Sequence, residues 1–287
     1  MPTGFKLMAV RATLRTVGHL SPGMAAHWAE ELFFRPRKAP PRPHEEEFLA
    51  SGRRFTFRSS RGTLAAWSWG KGPTVLLVHG WSSRAARFRV VAPALVSAGF
   101  RVIAYDHPAH GASPGKRTSL VEVSATLLEV AAQTGPLHAA VGHSLGGAAI
   151  AVGLSRGLGL ERAALIAPFA APPDFVDRFA ELVELPVLVR DRMRENIERR
   201  FGMRFDDLYI HTLVSRLTTP VLIIHDRGDV DIPVTEGRAI AAAWPGAVLV
   251  ETTGLGHHAI MRDVAVAERV AAFVAGESGV EGAGGTR

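Results

Sequence analysis

Short apolar runs without polar alternation recur along the chain: Val75-Leu-Leu-Val78, Val102 to Tyr105, Ala139-Ala-Val141, Ala163 to Ala167 and Val221 to Ile224. A strand that is apolar at successive positions is buried on both faces, and only layers of helix above and below can bury it that way. Most segments between these runs carry apolar residues three and four apart, the helical period. Helices are expected over Arg84 to Ala98, Ser119 to Gln133, Leu145 to Arg156, Val234 to Trp244 and Val264 to Ala275, with a last strand at Val248 to Val250. Strand and helix in alternation imply right-handed crossovers and a mostly parallel sheet, an α/β architecture. The stretches Arg54 to Arg58 and Leu64 to Trp69 alternate in polarity and are expected as an antiparallel pair at one edge.

Two segments break the alternation. Leu7, Val10, Leu14 and Val17, then Met24, Trp28 and Leu32, have helical spacing on either side of Ser21-Pro22, so two short amphipathic helices are expected. Arg35 to Pro43 is basic and proline-rich, an extended linker. Phe169 to Leu217 offers no strand but helical patterns with interleaved charge, which reads as a helical cap over the sheet's C-terminal edge. The expected organisation is an N-terminal helical extension and linker over 1–52 and a core over 53–168 and 218–275. A helical cap occupies 169–217, and a glycine-rich flexible tail 276–287.

Of the 287 residues 47% are apolar, enough for a sizeable core. The net charge is +6, with basic residues interleaved among acidic ones, which does not describe a nucleic-acid binder. Weak contact of the N-terminal helices with a membrane surface stays open, though they lack a dense basic face. Cysteine is absent, which removes disulfides and a thiol nucleophile and fits a reducing cytoplasm, the default location. Val130 to Ser155 has no Asp, Glu, Lys or Arg, but Gln133, Pro136, His138, His143 and several glycines make it a helix end, a strand, a turn and a new helix rather than a span. The N-terminus shows no clear secretory pattern.

The chemistry concentrates in the loops that follow the buried strands. Gly142-His143-Ser144-Leu145-Gly146 matches G-x-S-x-G between an expected strand and an expected helix, where a sharp turn leaves the serine exposed at the sheet's edge. A serine hydroxyl needs a base. His257, directly after Gly254-Leu255-Gly256, arrives at the same edge, with His258 as competitor. The base needs an acid, and the loop His225 to Pro233 offers Asp226, Asp229 and Asp231. Asp226 is close to the strand end, Asp231 suits a helix cap, and Asp229 sits mid-loop with room to turn inward. His107-Pro108-Ala109-His110 beside Asp106 lacks the helix of H-E-x-x-H metal sites and reads as loop support. No phosphate-cradling glycine motif is present.

The order Ser144, Asp229, His257 resembles that of the α/β-hydrolase fold, and the resemblance extends over roughly residues 53 to 275. His79-Gly80-Trp81 stands where that family places its oxyanion loop, and Asp106 to Ser113 matches its D-x-P-x-H-G-x-S segment. The chain is similar to serine hydrolases of the esterase/lipase or serine-aminopeptidase-like branch. In one departure, the usual G-x-x-D reads Asp226-Arg227-Gly228-Asp229. The resemblance implies a Ser144–His257–Asp229 triad, an oxyanion hole from the backbone N–H groups of Trp81 and Leu145, no metal or organic cofactor, and a small ester-type substrate, with thioesters and amides left open. Acyl transfer by the same triad is the alternative activity, and a non-enzymatic binding protein on the same fold the alternative class.

Overall fold

The computed structural model describes residues 4–277. In chain order the helices and strands are α1 (Gly4–Leu20), α2 (Pro22–Phe33), α3 (Pro43–Ala50), β1 (Arg53–Ser59), β2 (Gly62–Trp69), β3 (Thr74–Val78), α4 (Val91–Ser97), β4 (Arg101–Tyr105), α5 (Leu120–Thr134), β5 (Leu137–His143), α6 (Leu145–Ser155), β6 (Arg162–Ile166), α7 (Asp174–Leu182), α8 (Val187–Phe201), α9 (Ile210–Val214), β7 (Val221–Asp226), α10 (Val234–Ala243), β8 (Val248–Thr252), α11 (Gly256–Ala259) and α12 (Val264–Ala275). Three 3-10 turns lie between them. The described residues form two compact units, 4–35 with 171–209, and 36–170 with 210–277. Among the described residues no helix is long and apolar enough to cross a membrane.

The larger unit holds one eight-stranded sheet in the order β1-β2-β4-β3-β5-β6-β7-β8. β1 and β2 run antiparallel at the edge, β2 meets β4 antiparallel, and every further pair is parallel. The central strands carry the apolar runs of the sequence: β3 is buried at all five positions and β7 at all six. One face packs Val75, Leu77, Val102, Val141, Ile166 and Ile224 with Val91 and Leu95 of α4 and Val270 and Val274 of α12. The parallel crossovers return β3 to β8 in the same direction, so the loops after β3, β4, β5, β7 and β8 all leave from the carboxyl edge. β4 and β5 lie on opposite sides of β3, and the reversal of strand order there opens a crevice at that edge.

The structure departs from expectation in three places. Arg84 to Ala98 is not one helix: a 3-10 turn covers Ala85–Phe88 and α4 begins at Val91. A continuous helix would place Pro93 in its interior, where proline has no N–H to donate and its ring meets the carbonyl four residues back. Restarting at Val91 puts Pro93 in a first turn, where proline is tolerated. Residues 36–52, expected with the N-terminal extension, pack with the larger unit. They include α3, which starts at Pro43, carries Glu45 and Glu46 in its first turn and stacks Phe48 on Trp69 at 4.6 Å between ring centres. Residues 210–217, expected in the cap, likewise belong to the larger unit. The tail expected to be flexible lies, from residue 278 onward, outside the described residues.

The smaller unit joins α1 and α2 to α7 and α8. Ala25, Ala26 and Ala29 are fully buried on α2, small residues that let helices approach closely. Arg11 donates from Nε and Nη2 to the Leu182 carbonyl at 3.0 and 2.9 Å and pairs with Glu184 at 2.8 Å. Glu30 on α2 is buried and accepts from Arg200 of α8 at 2.9 Å. Phe33 meets Phe179, and Phe34 meets Phe201, edge to face.

Candidate active site

The turn at Ser144 is forced by what surrounds it. Ser144 adopts φ 52° and ψ −117°, outside the regions open to a residue with a side chain. Its N–H donates to the Ile166 carbonyl on the neighbouring strand at 3.0 Å, and its carbonyl accepts from Ala148 at 3.2 Å, so the strained residue is held at both ends. The glycines on either side are demanded by packing. A Cβ on Gly146 would stand 1.8 Å from the Val78 carbonyl oxygen, and one on Gly142 would stand 2.6 Å from the backbone of Gly146 and Gly147. The serine is therefore pressed up at the end of β5 with α6 starting at once behind it, and the free N–H groups and positive dipole end of that helix face the same place.

The loop after β3 lies against the serine. An added Cβ at Gly80 would be 3.2 Å from the Ser144 Cβ and from His143 Nδ1. This loop is held by three buried histidines. His79 Nδ1–H donates to the Gly80 carbonyl at 2.8 Å, while its Nε2 accepts from the His107 N–H at 3.1 Å. His107 Nε2–H donates to the His79 carbonyl at 2.8 Å. His110 Nδ1–H donates to the Pro108 carbonyl, and its Nε2 accepts from the Ser82 N–H at 2.9 Å. Burial penalises their charged forms: His107 is pushed down to about 3, His110 to about 4, and His79 well below the ordinary histidine range. Neutral rings keep both a donor and an acceptor; His79 and His110 use both here, and His107 uses its donor. Pinning the Gly80 carbonyl also orients the Trp81 N–H, because the two share one planar peptide. Asp106 ties the same loops together, accepting from Ala85 N–H and Ala112 N–H, each at 2.7 Å.

The three aspartates after β7 separate by their partners. Asp226 accepts from Gly228 N–H, Thr252 Oγ1–H and Leu255 N–H, so it braces the loops after β7 and β8 against each other. The Asp231 carboxylate is half-exposed, 3.6 Å from His258. Asp229 Oδ2 accepts from His257 Nδ1–H at 2.7 Å, and its Oδ1 accepts from the N–H groups of Asp231 and Ile232 at 2.9 and 2.8 Å. Burial alone would raise its carboxyl, but the contacts from His225, His257 and the Ile232 amide hold it well below the usual carboxylate range. It is the acid that faces a histidine inside the protein. His258 points elsewhere: Arg87 donates to its Nδ1 at 2.9 Å and to its carbonyl at 3.2 Å.

The histidine side and the serine side meet through His143, whose Nε2–H donates to the His257 carbonyl at 3.0 Å with the two rings 4.7 Å apart. Among the described residues no hydrogen bond joins the Ser144 hydroxyl directly to the His257 ring. Such contacts are often loose without substrate and tighten in the complex. Sequence reasoning missed the bracing by Asp226 and the part of His143. The first leaves no local signal, because Leu255 and Thr252 are far from Asp226 in the chain. The second was visible only as the variable position of G-x-S-x-G.

The model of the alpha/beta hydrolase family matches residues 75–272. The chain is 40% identical over 81 residues to a monoacylglycerol lipase of Mycolicibacterium smegmatis, covering 25% of this chain and 29% of that one. It is 34% identical over 147 residues to a non-heme haloperoxidase of Rhodococcus erythropolis, covering 49% and 52%. The chain thus spans about half the length, or less, of these curated relatives. An esterase of Pyrococcus furiosus superposes with a TM-score of 0.65 at 18% identity, over 85% of this chain and all of that one, a likeness of fold. With the family match running from β3 into α12, through every loop just described, the chain belongs to the alpha/beta hydrolase family.

Proposed function

We propose that this protein hydrolyses a carboxylic ester of a small molecule through an acyl-serine intermediate, with Ser144 as nucleophile, His257 as base and Asp229 as the acid that orients it. The observation that carries the reading is the 2.7 Å hydrogen bond from His257 Nδ1–H to a buried Asp229, opposite a serine held in a strained turn. With Nδ1 protonated, His257 presents Nε2 as the acceptor a nucleophile needs. The relatives that bear lipase and esterase names support an ester as the bond attacked.

In this reading His257 Nε2 takes the Ser144 proton as Oγ attacks the ester carbonyl. The carbonyl oxygen becomes an oxyanion that the Trp81 and Leu145 N–H groups receive. Collapse expels the alcohol, which leaves with the proton from His257. Water then repeats the cycle on the acyl-serine and releases the acid. Hydrogen-bond donors in such a hole are each worth about 3–4 kcal/mol of barrier where one has been removed.

The test is hydrolysis of a series of p-nitrophenyl esters by the wild type, Ser144→Ala and Asp229→Asn. Ser144→Ala abolishes turnover. Asp229→Asn presents the wrong face of the imidazole and lowers kcat by roughly four orders of magnitude, the size seen for that change in another triad. Unchanged kcat in Asp229→Asn overturns the assignment.

A further inference from the structure

Three consecutive residues of the proline-rich segment after α2 are tied to the loops around the candidate oxyanion hole. The Arg37 N–H donates to Ser82 Oγ at 3.0 Å. Lys38 Nζ donates to the Ser113 carbonyl at 2.5 Å, at the end of the Asp106 loop. The Arg84 guanidinium donates from Nη2 to the Ala39 carbonyl. The segment has neither helix nor strand, and Pro36, Pro40 and Pro41 restrict its backbone, so it behaves as a stiff strap rather than a tether. It lies outside the part of the chain that the family model matches.

What it holds is strained. Ser82 follows Trp81 directly and sits at φ 52°, in the left-handed region that a side chain disfavours. Its N–H is fixed by His110 Nε2 at 2.9 Å and its hydroxyl by Arg37. Released from the hydroxyl side, Ser82 is free to relax toward negative φ, and the Trp81–Ser82 peptide turns with it. The Trp81 N–H, one peptide earlier, is then held from one side alone, through the Gly80 carbonyl, and its aim loosens. Ser113 is bound to the same frame: its hydroxyl donates to the Asp106 carbonyl at 2.6 Å and accepts from the Ala65 N–H at 3.0 Å.

We infer that residues 37–39 are a positioning strap for the oxyanion hole: they touch no substrate but hold the Ser82 turn that aims the Trp81 N–H. The inference rests on the ester-hydrolase reading of the same site.

The experiment compares the full-length wild type with Arg37→Pro, which deletes the donor to Ser82, and separately with Arg84→Met and Arg84→Lys. Each is assayed for kcat and KM on a p-nitrophenyl ester, per active site titrated, and for the dissociation constant of an alkyl boronic acid, whose boron accepts the serine oxygen and mimics the tetrahedral state. The expected result is a fall in kcat of tenfold or more in Arg37→Pro and Arg84→Met, with KM within twofold and a matching rise in the boronate constant. Arg84→Lys, which keeps a donor, recovers part of both. A strap that merely stabilises the fold lowers the titrated fraction and leaves kcat per site and the boronate constant unmoved, and that result overturns the inference. A folded wild type that neither turns over any ester nor binds the boronate overturns the underlying reading instead, and the strap's role with it.

Discussion

Replacing Ser144 by glycine and by alanine separates the chemistry of this residue from its geometry. At φ 52° and ψ −117° a residue with a Cβ is strained, and such positions cost of order 1–3 kcal/mol. Alanine removes the hydroxyl and keeps the Cβ, so it keeps the strain. Glycine removes both, but its freer unfolded chain costs about 0.5–1 kcal/mol relative to alanine. Both variants retain the Ser144 N–H bond to Ile166, because it is made by the backbone. The difference leaves Ser144→Gly more stable than Ser144→Ala by about 1 kcal/mol, which for a chain of this length is a rise in Tm of about 2 °C. Urea unfolding of the two variants under identical conditions measures it, and neither variant turns over ester. At an ordinary strand or helix position the order is the reverse, with alanine more stable. An alanine variant as stable as the glycine variant, or more stable, refutes the claim that strain is stored at this turn.

Three further outcomes follow from packing and charge. Gly146→Ala drives a Cβ into the Val78 carbonyl and costs about 3 kcal/mol or more, whereas Gly159→Ala, with open space around it, changes the unfolding free energy little; equal effects contradict the steric account. His107 and His110 are held neutral at about 3 and about 4, so between those values and the unfolded value of 6.5 only the unfolded chain binds their protons. The stability tied to them is complete above pH 6.5 and lost as pH falls; together they remove about 4 kcal/mol between pH 7 and pH 5, partly offset at the acid end by Asp106, whose raised carboxyl acts in the opposite sense. Urea midpoints at the two pH values test this, and equal midpoints count against it. Arg11→Ala removes both bonds to Leu182 and the pair with Glu184, and costs about 1–2 kcal/mol, read as faster proteolysis within α1 and α2; unchanged cleavage there means these contacts do not secure the helices.

The parts of the fold that were legible in the sequence are those whose signal is local. An apolar run such as Val75 to Val78 declares its own burial on both faces, and the elbow at Ser144 declares itself by the strand before it and the helix after it. The order of the Asp and His loops followed from the same strand pattern. What was not legible depends on partners distant in the chain. Asp226, Asp229 and Asp231 are alike in composition and spacing; only the folded loops show that Asp226 is consumed by Leu255 and Thr252 and that Asp229 meets His257. The grouping of α1 and α2 with α7 and α8 depends on pairs such as Arg11 with Leu182 and Phe33 with Phe179, which no periodicity reveals. The break before α4 was readable, since Pro93 stood inside the expected helix, and the start of α3 was readable from Pro43 and the glutamates after it.

The proposed chemistry requires Ser144 to be an activated nucleophile. Labelling of the folded protein with a fluorophosphonate probe tests it most directly, because the phosphorus accepts an activated serine oxygen whatever the natural substrate is. The wild type is expected to label, Ser144→Ala to lose labelling, and Asp229→Asn to label at a steeply lower rate. Labelling that persists at the wild-type rate in a folded Ser144→Ala variant, or a folded wild type that does not label at all, contradicts it.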